Sequence, residues 1–288
     1  MAGRTSSDAE QAVRAPGRLL VCATPIGNLG DVTSRVLDAL RDADVIEAED
    51  TRVTRKLLTR FSISTPLESY HAKNLERRTP EVVARVRAGA SVALVSDAGT
   101  PGISDPGARL VDACLEEGLP VDVLPGPSAI VTALVASGLP THAFYFGGFL
   151  PRKAGDRRRA LEKLAALDAT LVFYEAPART AATVASLAEA FPGRRAAMAR
   201  ELTKLYEEVA RAPVEELARA LAGRELKGEV VLLVGPPDGR AAEIDEGAVA
   251  ARIAELVADG VTRKDAVKQA ARELGVPRNV AYGISVRD

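Results

Sequence analysis

Tryptophan is absent from this chain, and aromatic residues make up only 4 % of it. Val, Leu and Ala must therefore fill the interior, and recognition of nucleic acid by extensive base stacking is disfavoured. Two cysteines, Cys22 and Cys114, are too few for a disulfide scaffold and fit a reducing compartment. Two histidines, His71 and His142, with no Cys-x-x-Cys pair, argue against a Cys/His zinc site, and no metal is expected. Charge of one sign is also lacking: 38 basic against 39 acidic residues leave −1. That excludes a bulk polycation, though not a local basic face. No stretch approaches 18 uninterrupted apolar residues, so no membrane span and no membrane partner are expected. Residues 1–17 are small and polar and lack the apolar stretch of a secretory leader. They read as a disordered tail on a cytoplasmic protein.

What is present is ordinary globular material: 288 residues, 47 % of them hydrophobic and 27 % charged, enough for two domains and a small appendix. Short β-rich runs at 19–23, 44–48, 91–96 and 120–124 alternate with helical periods at 32–41, 52–60, 80–88 and 106–117. Such alternation predicts an α/β fold with a parallel sheet flanked by helices. The pattern resumes with strands at 143–147, 170–175, 195–200, 206–210 and 229–235, and helices at 156–166, 179–190 and 214–222. The Pro125-Gly126-Pro127 break divides an N-terminal α/β domain, 18–125, from a second, 126–237. From 238 to 288 only helical signals remain: 246–258, 262–274 and 277–286, a helix-turn-helix-like module with Thr262 as N-cap, Gly275 past the second helix and Pro277 opening the third.

The most informative segment is Val95-Ser-Asp97-Ala98-Gly99-Thr100-Pro-Gly102-Ile103-Ser-Asp105-Pro-Gly107, which follows the apolar strand SVALV. It is longer than a plain strand-to-helix turn, and ligands of open α/β sheets bind at the carboxyl ends of strands. It is no GxGxxG, GxxxxGK[ST] or GxSxG loop. Three further segments also follow strands: Ala23-Thr-Pro25-Ile-Gly-Asn-Leu-Gly-Asp31, Ala48-Glu-Asp50-Thr-Arg52, and Leu124-Pro-Gly-Pro-Ser128-Ala129. Asp31 or Thr33 can cap the helix after the first of them.

Together these four segments resemble the tetrapyrrole (corrin/porphyrin) methylase superfamily. Within it the chain resembles the ribosomal RNA small subunit methyltransferase I family, the 16S rRNA (cytidine(1402)-2′-O)-methyltransferases. Further matches are Gly148-Phe-Leu-Pro-Arg152-Lys153, Phe173-Tyr174-Glu175-Ala-Pro-x-Arg179, Ala199-Arg200-Glu201-Leu202-Thr-Lys204 and Lys227-Gly-Glu229. The resemblance spans residues 18–236. It implies two α/β domains with S-adenosylmethionine (SAM) as methyl donor in the cleft between them, and a homodimer. It also implies Pro25, Asp97, Ala98, Gly99, Thr100, Gly102, Ile103, Ser128, Ala129, Tyr174, Ala199, Arg200 and Leu202 as SAM neighbours. The acceptor would be 16S rRNA or the small ribosomal subunit. A corrin or porphyrin C-methyltransferase, a protein side-chain methylase and an inactive RNA-binding protein of the same fold are the alternatives.

Displacement at the SAM methyl carbon by a ribose 2′-hydroxyl calls for alignment and for a group that takes the hydroxyl proton. Glu175, Glu201, Lys204, Asp50 and His71 are the candidates; His71 lies between a strand and a helix. For phosphate, Arg52, Arg179 and Arg200 offer bidentate donors. Six cations crowd 152–163, among them Arg152, Lys153, Arg157, Arg158 and Arg159, but three consecutive arginines fan around a helix and cannot all meet one partner. In the tail, Lys264, Lys268 and Arg272 share one helix face. Arg52, Arg152, Lys153, Arg157, Arg158, Arg179, Lys264 and Lys268 are the expected RNA contacts.

Overall fold

The structure, a computed structural model, describes residues 17–237, 246–274 and 278–287. The expected tail therefore lies outside the described residues apart from Gly17. So do Gly275 and Pro277, and so does the side chain of Arg272. Two compact units are formed, one running to Pro236 and one from Pro237.

The first unit opens with β1 (Arg18–Cys22), α1 (Ser34–Asp42), β2 (Val45–Ala48), α2 (Thr51–Arg60), β3 (Leu67–Ser69), α3 (Leu75–Arg87), β4 (Ser91–Val95), α4 (Gly107–Glu116) and β5 (Val121–Leu124). The strands form one sheet in the order β3-β2-β4-β1-β5, with every pairing parallel. Alternate residues face opposite sides. Leu19, Val21, Val92 and Leu94 pack with α3 and α4. Cys22, Ile46, Ala93 and Val95 pack with α1 and α2. Thr33 caps α1, its hydroxyl accepting from the Val36 N–H at 3.3 Å.

The chain continues through α5 (Ala129–Ser137), β6 (Phe144–Phe149), α6 (Ala154–Glu162), β7 (Thr170–Glu175), α7 (Thr180–Ala190), β8 (Arg195–Arg200), β9 (Glu208–Pro213), α8 (Val214–Leu221) and β10 (Val230–Val234). These strands form a second sheet, β6-β7-β10-β8-β9. Here the expectation of mostly parallel pairing needs correction: only β6–β7 is parallel, while β7–β10, β10–β8 and β8–β9 are antiparallel. The physical reason is plain at β8–β9. Residues 201–207 hold no helix, and a connection that short joins antiparallel neighbours, whereas parallel strands need a crossover of a dozen or more residues. One face of this sheet packs on α6, α7 and α8. The other packs on α5, with Ile26 from the first half of the chain in the same core. Helix α5 has no counterpart among the elements expected from the sequence.

In the second unit, α9 (Glu246–Ala258), α10 (Arg263–Glu273) and α11 (Arg278–Arg287) share a core of Val249, Ile253, Leu256, Ala266, Val267, Ala270 and Ile284. Thr262 caps α10, its side chain accepting from the Asp265 N–H. Leu274, just past α10, is exposed.

A buried ionic cluster crosses the first sheet. Glu47 on β2 has no exposed side chain and is paired with Arg78 of α3, which also holds Glu68 of β3 at 2.6 Å. Removing one partner of such a pair strands a charge in a low-dielectric interior. Arg78→Met should cost about 3–5 kcal/mol of unfolding free energy, measured by urea titration. Combining it with Glu47→Leu should recover a large part of that loss.

Candidate functional site

All four loops singled out in the first half leave the carboxyl ends of parallel strands: β1, β2, β4 and β5. Because β1 and β4 are neighbours, their following loops meet. The Thr24 N–H donates to the Gly99 carbonyl at 2.8 Å, and the Gly99 N–H returns to the Thr24 carbonyl at 3.0 Å. The Thr24 hydroxyl adds a bond to the Ser96 carbonyl at 3.1 Å. From the end of β2, the Asp50 N–H donates to Asp97 Oδ1 at 2.9 Å. The far end of the β4 loop is pinned by Asp105, whose carboxylate accepts from the Gly102 N–H at 2.8 Å and the Gly107 N–H at 2.7 Å. Gly99 sits at φ +78°. A Cβ there meets only ordinary contacts, so glycine is required by the backbone conformation rather than by close approach.

The second sheet supplies the opposite wall. Tyr174, Val231 and Ala199 stand in register on β7, β10 and β8. Phe146 and Phe149 pack on the Tyr174 ring at centroid distances of 4.9 and 5.6 Å. After β8, the turn at 201–204 carries Glu201 and Thr203 at φ 51° and 65°. The β1 loop lies directly on this turn. The Asn28 N–H donates to the Thr203 hydroxyl at 3.0 Å, and a Cβ on Gly27 would fall 2.5 Å from Lys204 Cγ and 2.9 Å from the Leu202 carbonyl.

Between these walls lies a cavity of about 450 Å³. Of the expected cofactor neighbours, Asp97, Ala98, Gly99, Thr100, Ile103, Ser128, Ala129, Tyr174, Ala199 and Leu202 line it. Pro25, Gly102 and Arg200 do not. Ile26 takes the place given to Pro25, and Gly102 serves the turn held by Asp105. Arg200 projects to the opposite face from Ala199 and pairs with Glu208 at 3.0 Å. Sequence reasoning missed Glu49, Ser96, Phe149 and Glu229 as lining residues, although each stands at or beside a strand end within a quoted motif or the adjoining residue.

The cavity is acidic. Glu49, Asp97, Asp105 and Glu229 all line it. Burial raises the pKa of Glu49, and the neighbouring Asp97 and Asp105 charges push the same way. Burial likewise raises Asp97, against the hydrogen bond it accepts from Asp50. Burial, then the Glu229 and Asp105 charges, raises the Tyr174 phenol. Among the described residues no group of three or more side chains is placed to hold a metal ion.

The five proton-transfer candidates fare differently. Asp50 caps α2 and grips Arg52 at 2.6 Å, and those bonds hold its carboxyl down to about 2. Glu175 borders the cavity, but its buried carboxylate is consumed by the Ala176 N–H, Arg179 and the Thr183 hydroxyl. Lys204 bonds Glu201 at 2.8 Å and Glu229 at 2.9 Å, which ties two of the candidates to each other. His71 is placed in the β3–α3 connection, where Nδ1 accepts from the Lys73 N–H at 3.3 Å, and it does not line the cavity.

Two expected RNA contacts are corrected. Arg157 is only 7 % exposed and donates to the Ser186 hydroxyl at 3.0 Å and to the Pro151 and Arg152 carbonyls. In a run of three arginines on one helix, one must face the protein. Arg179 is likewise spent on Glu175 and the Leu150 carbonyl. Arg158 is exposed but paired with Glu162. Arg52, Arg152, Lys153, Lys264 and Lys268 are exposed.

Residues 18–218 match the family of tetrapyrrole (corrin/porphyrin) methylases. The protein named ribosomal RNA small subunit methyltransferase I from Xylella fastidiosa is 46 % identical, over 93 % of this chain and 98 % of that one. Its namesake from Mesorhizobium japonicum is 44 % identical, over 92 % of this chain and 90 % of its own, and that from Bacillus subtilis 40 %, over 92 % and 93 %. Among solved structures, the methyltransferase CobJ aligns with a TM-score of 0.59 at 22 % identity, covering 76 % of this chain and 94 % of its own. The uroporphyrin-III C-methyltransferase of Thermus thermophilus, in complex with S-adenyl homocysteine, aligns at 0.54 and 22 % identity, over 76 % and 97 %. Those structural likenesses carry the fold alone. The sequence identities, which run over nearly the whole length, make this chain a member of the ribosomal RNA small subunit methyltransferase I family, within the tetrapyrrole methylases.

Proposed function

We propose that this protein transfers the methyl group of SAM to the ribose 2′-hydroxyl of a cytidine, position 1402, in 16S ribosomal RNA. The observation that carries the reading is the acidic cavity of about 450 Å³ between the strand ends of the two sheets. Its residues fit a cationic nucleoside. Asp97, Asp105 and Glu229 supply negative charge for a sulfonium and an ammonium, while Ile26, Leu202, Val231 and Tyr174 supply an apolar wall for a purine. When bound, SAM supplies a methyl carbon activated by its positive sulfur. The protein aligns the acceptor hydroxyl, keeps water out and receives its proton. Glu49 suits the role of proton acceptor, because it lines the cavity and its raised pKa makes it a better base than the low-lying Asp50.

The acceptor we propose is the small ribosomal subunit, met in the cytoplasm by a homodimer with lobes 18–125 and 126–237. Among the described residues no helix is long and apolar enough to cross a membrane. Leu205 and Tyr206, 88 % and 70 % exposed beside the 201–204 turn, are apolar surface suited to a second copy. Lys264 and Lys268 on the exposed side of α10, with Arg152 and Lys153 before α6, supply cations for phosphate.

Labelled SAM offered with small-subunit RNA or with a precorrin tests the acceptor class; methyl transfer to the precorrin alone overturns the proposal. Gly99→Val should weaken SAM binding at least tenfold by calorimetry, because a β-branched residue at φ +78° forces the loop to refold. Unchanged far-ultraviolet circular dichroism would show the fold intact. Glu49→Gln should lower kcat roughly 10²–10⁴-fold while SAM affinity shifts far less. The wild-type rate should fall on the acid side with a midpoint above the ordinary glutamate range, since the raised carboxyl must lose its proton before it can accept one. In Glu49→Gln that limb should vanish from the kcat profile.

A further inference from the structure

The second opening on the first unit is a surface groove of about 570 Å³, lined by Leu29 of the β1 loop and by Arg52, Arg55, Lys56, Thr59 and Arg60 of α2. Resting on the RNA methyltransferase reading above, we infer that this face of α2 is the track along which the phosphate backbone of the acceptor RNA enters the site.

The sequence of α2, Thr-Arg-Val-Thr-Arg-Lys-Leu-Leu-Thr-Arg, holds no carboxylate. Leu57, Leu58 and Thr54 turn inward, and the cations stay outside. Arg52 is paired with Asp50. Arg55, Lys56 and Arg60 form no ion pair among the described residues; Arg60 only lies over the Phe61 ring, at 5.6 Å from its centroid. Arg52, Lys56 and Arg60 repeat at i, i+4 and i+8, a spacing at which like charges repel along one helix face. Beyond the Arg52–Asp50 pair, the folded protein gains nothing internally from Lys56, Arg60 or the adjoining Arg55, whereas a polyanion neutralises them. The cations of α6 contrast with it, because Arg158 and Arg159 have Glu162 and Asp156 as partners and Arg157 is buried.

Position singles out RNA as the occupant. Leu29 follows Ile26 by three residues and Arg52 follows Glu49 by three, and both Ile26 and Glu49 line the acidic cavity. Three residues of chain reach at most about 10 Å. The cations from Arg52 to Arg60 span about 12 Å of helix, long enough for more than one phosphate of a strand laid along it. The acidic cavity repels phosphate and the basic groove holds it, so a strand gripped by α2 can present a ribose to the cavity without its backbone entering.

The test is Arg55→Gln/Lys56→Gln/Arg60→Gln in the full chain, against a control in two paired surface arginines, Arg41→Gln/Arg87→Gln. The triple variant should bind small-subunit RNA at least tenfold more weakly. Its log–log salt slope should be shallower by about two, from roughly 0.7 per contact on single strands. The loss should appear in KM for RNA and not in kcat. SAM affinity should not move, because none of the three lines the cavity, and the control should keep the wild-type slope. If the triple variant fails to bind SAM, the single variants Arg55→Gln and Lys56→Gln are read in its place and should each lose a fraction of the slope. An unchanged RNA affinity and slope overturns the inference while the methylation reading stands. Binding to anionic phospholipid vesicles that the variant loses, with RNA binding intact, overturns it in favour of a membrane. If the wild type methylates no RNA yet binds it with a slope the variant loses, the reading of the reaction falls and the track stands.

Discussion

The molecule's site depends on one adjacency: β1 and β4 lie side by side and run the same way. Their carboxyl ends are therefore neighbours, and the loops they release must share the space beyond the sheet. The two-bond bridge between Thr24 and Gly99 locks that sharing. It holds the β4 loop open towards the cavity and sends the β1 loop, through Ile26, Gly27 and Asn28, onto the 202–204 turn of the second sheet. Both walls of the cavity are thus tied through the same few residues. Positive φ at Gly99 and close approach at Gly27 are two separate demands for glycine within this single tie.

Much of this is legible in the sequence because strand ends carry a recognisable chemistry. Gly and Pro crowded after an apolar run mark a loop that does something other than turn the chain, and the three such segments, together with the polar 48–52, all border the shared space. Residues 97–100, Ile103 and Ser128, from two of these loops, line the cavity, and so does Tyr174, which only the family resemblance implies. The resemblance implies the whole 199–202 stretch as cofactor neighbours, but side chains alternate along a strand, so Ala199 lines the cavity while Arg200 faces Glu208. Glu49 escapes attention because a carboxylate beside Asp50 and Arg52 reads as part of a helix cap, while only the fold shows which of the two acids caps and which faces the cavity.

Two helices depart from their sequence patterns for opposite reasons. Pro80 reads as the first residue of a helix, yet α3 begins at Leu75. Its opening turn is held by tertiary bonds that no local pattern announces: Tyr70 to Thr79 at 2.7 Å, and Arg78 to Glu47 and Glu68. Helix α5 does carry local signals, with Ser128 as N-cap and Gly138 left-handed at φ +67° after its last turn. Its mostly apolar sequence hides the helical period, because Ile130, Ala133 and Leu134 face the second sheet while Val131 and Val135 stay exposed. The mixed pairing of that sheet has a similar origin. Strand propensity does not report direction, and only the short β8–β9 connection carries the antiparallel information.

Charge is the least legible property, and the reason is specific. A tally of cations selects α6, where six basic residues fall within 152–163. A cation is available to a partner only after its own neighbours have been served, and the three arginines of α6 are spent: Glu162 lies four residues after Arg158, Asp156 three before Arg159, and Arg157 is buried. Helix α2 holds four cations, against three within α6 itself, and no internal acid, and the acid at its cap, Asp50, takes Arg52. The signal that separates the two helices is therefore the absence of a carboxylate at i±3 or i±4 from Arg55, Lys56 and Arg60. By that criterion the chain carries opposite fields at the two ends of one short connection. Glu49 belongs to the acidic cavity, and the basic face of α2 begins within a turn of it. An anionic polymer and a cationic cofactor can then occupy adjoining space, because the fold keeps the fields that attract them on different sides of Asp50.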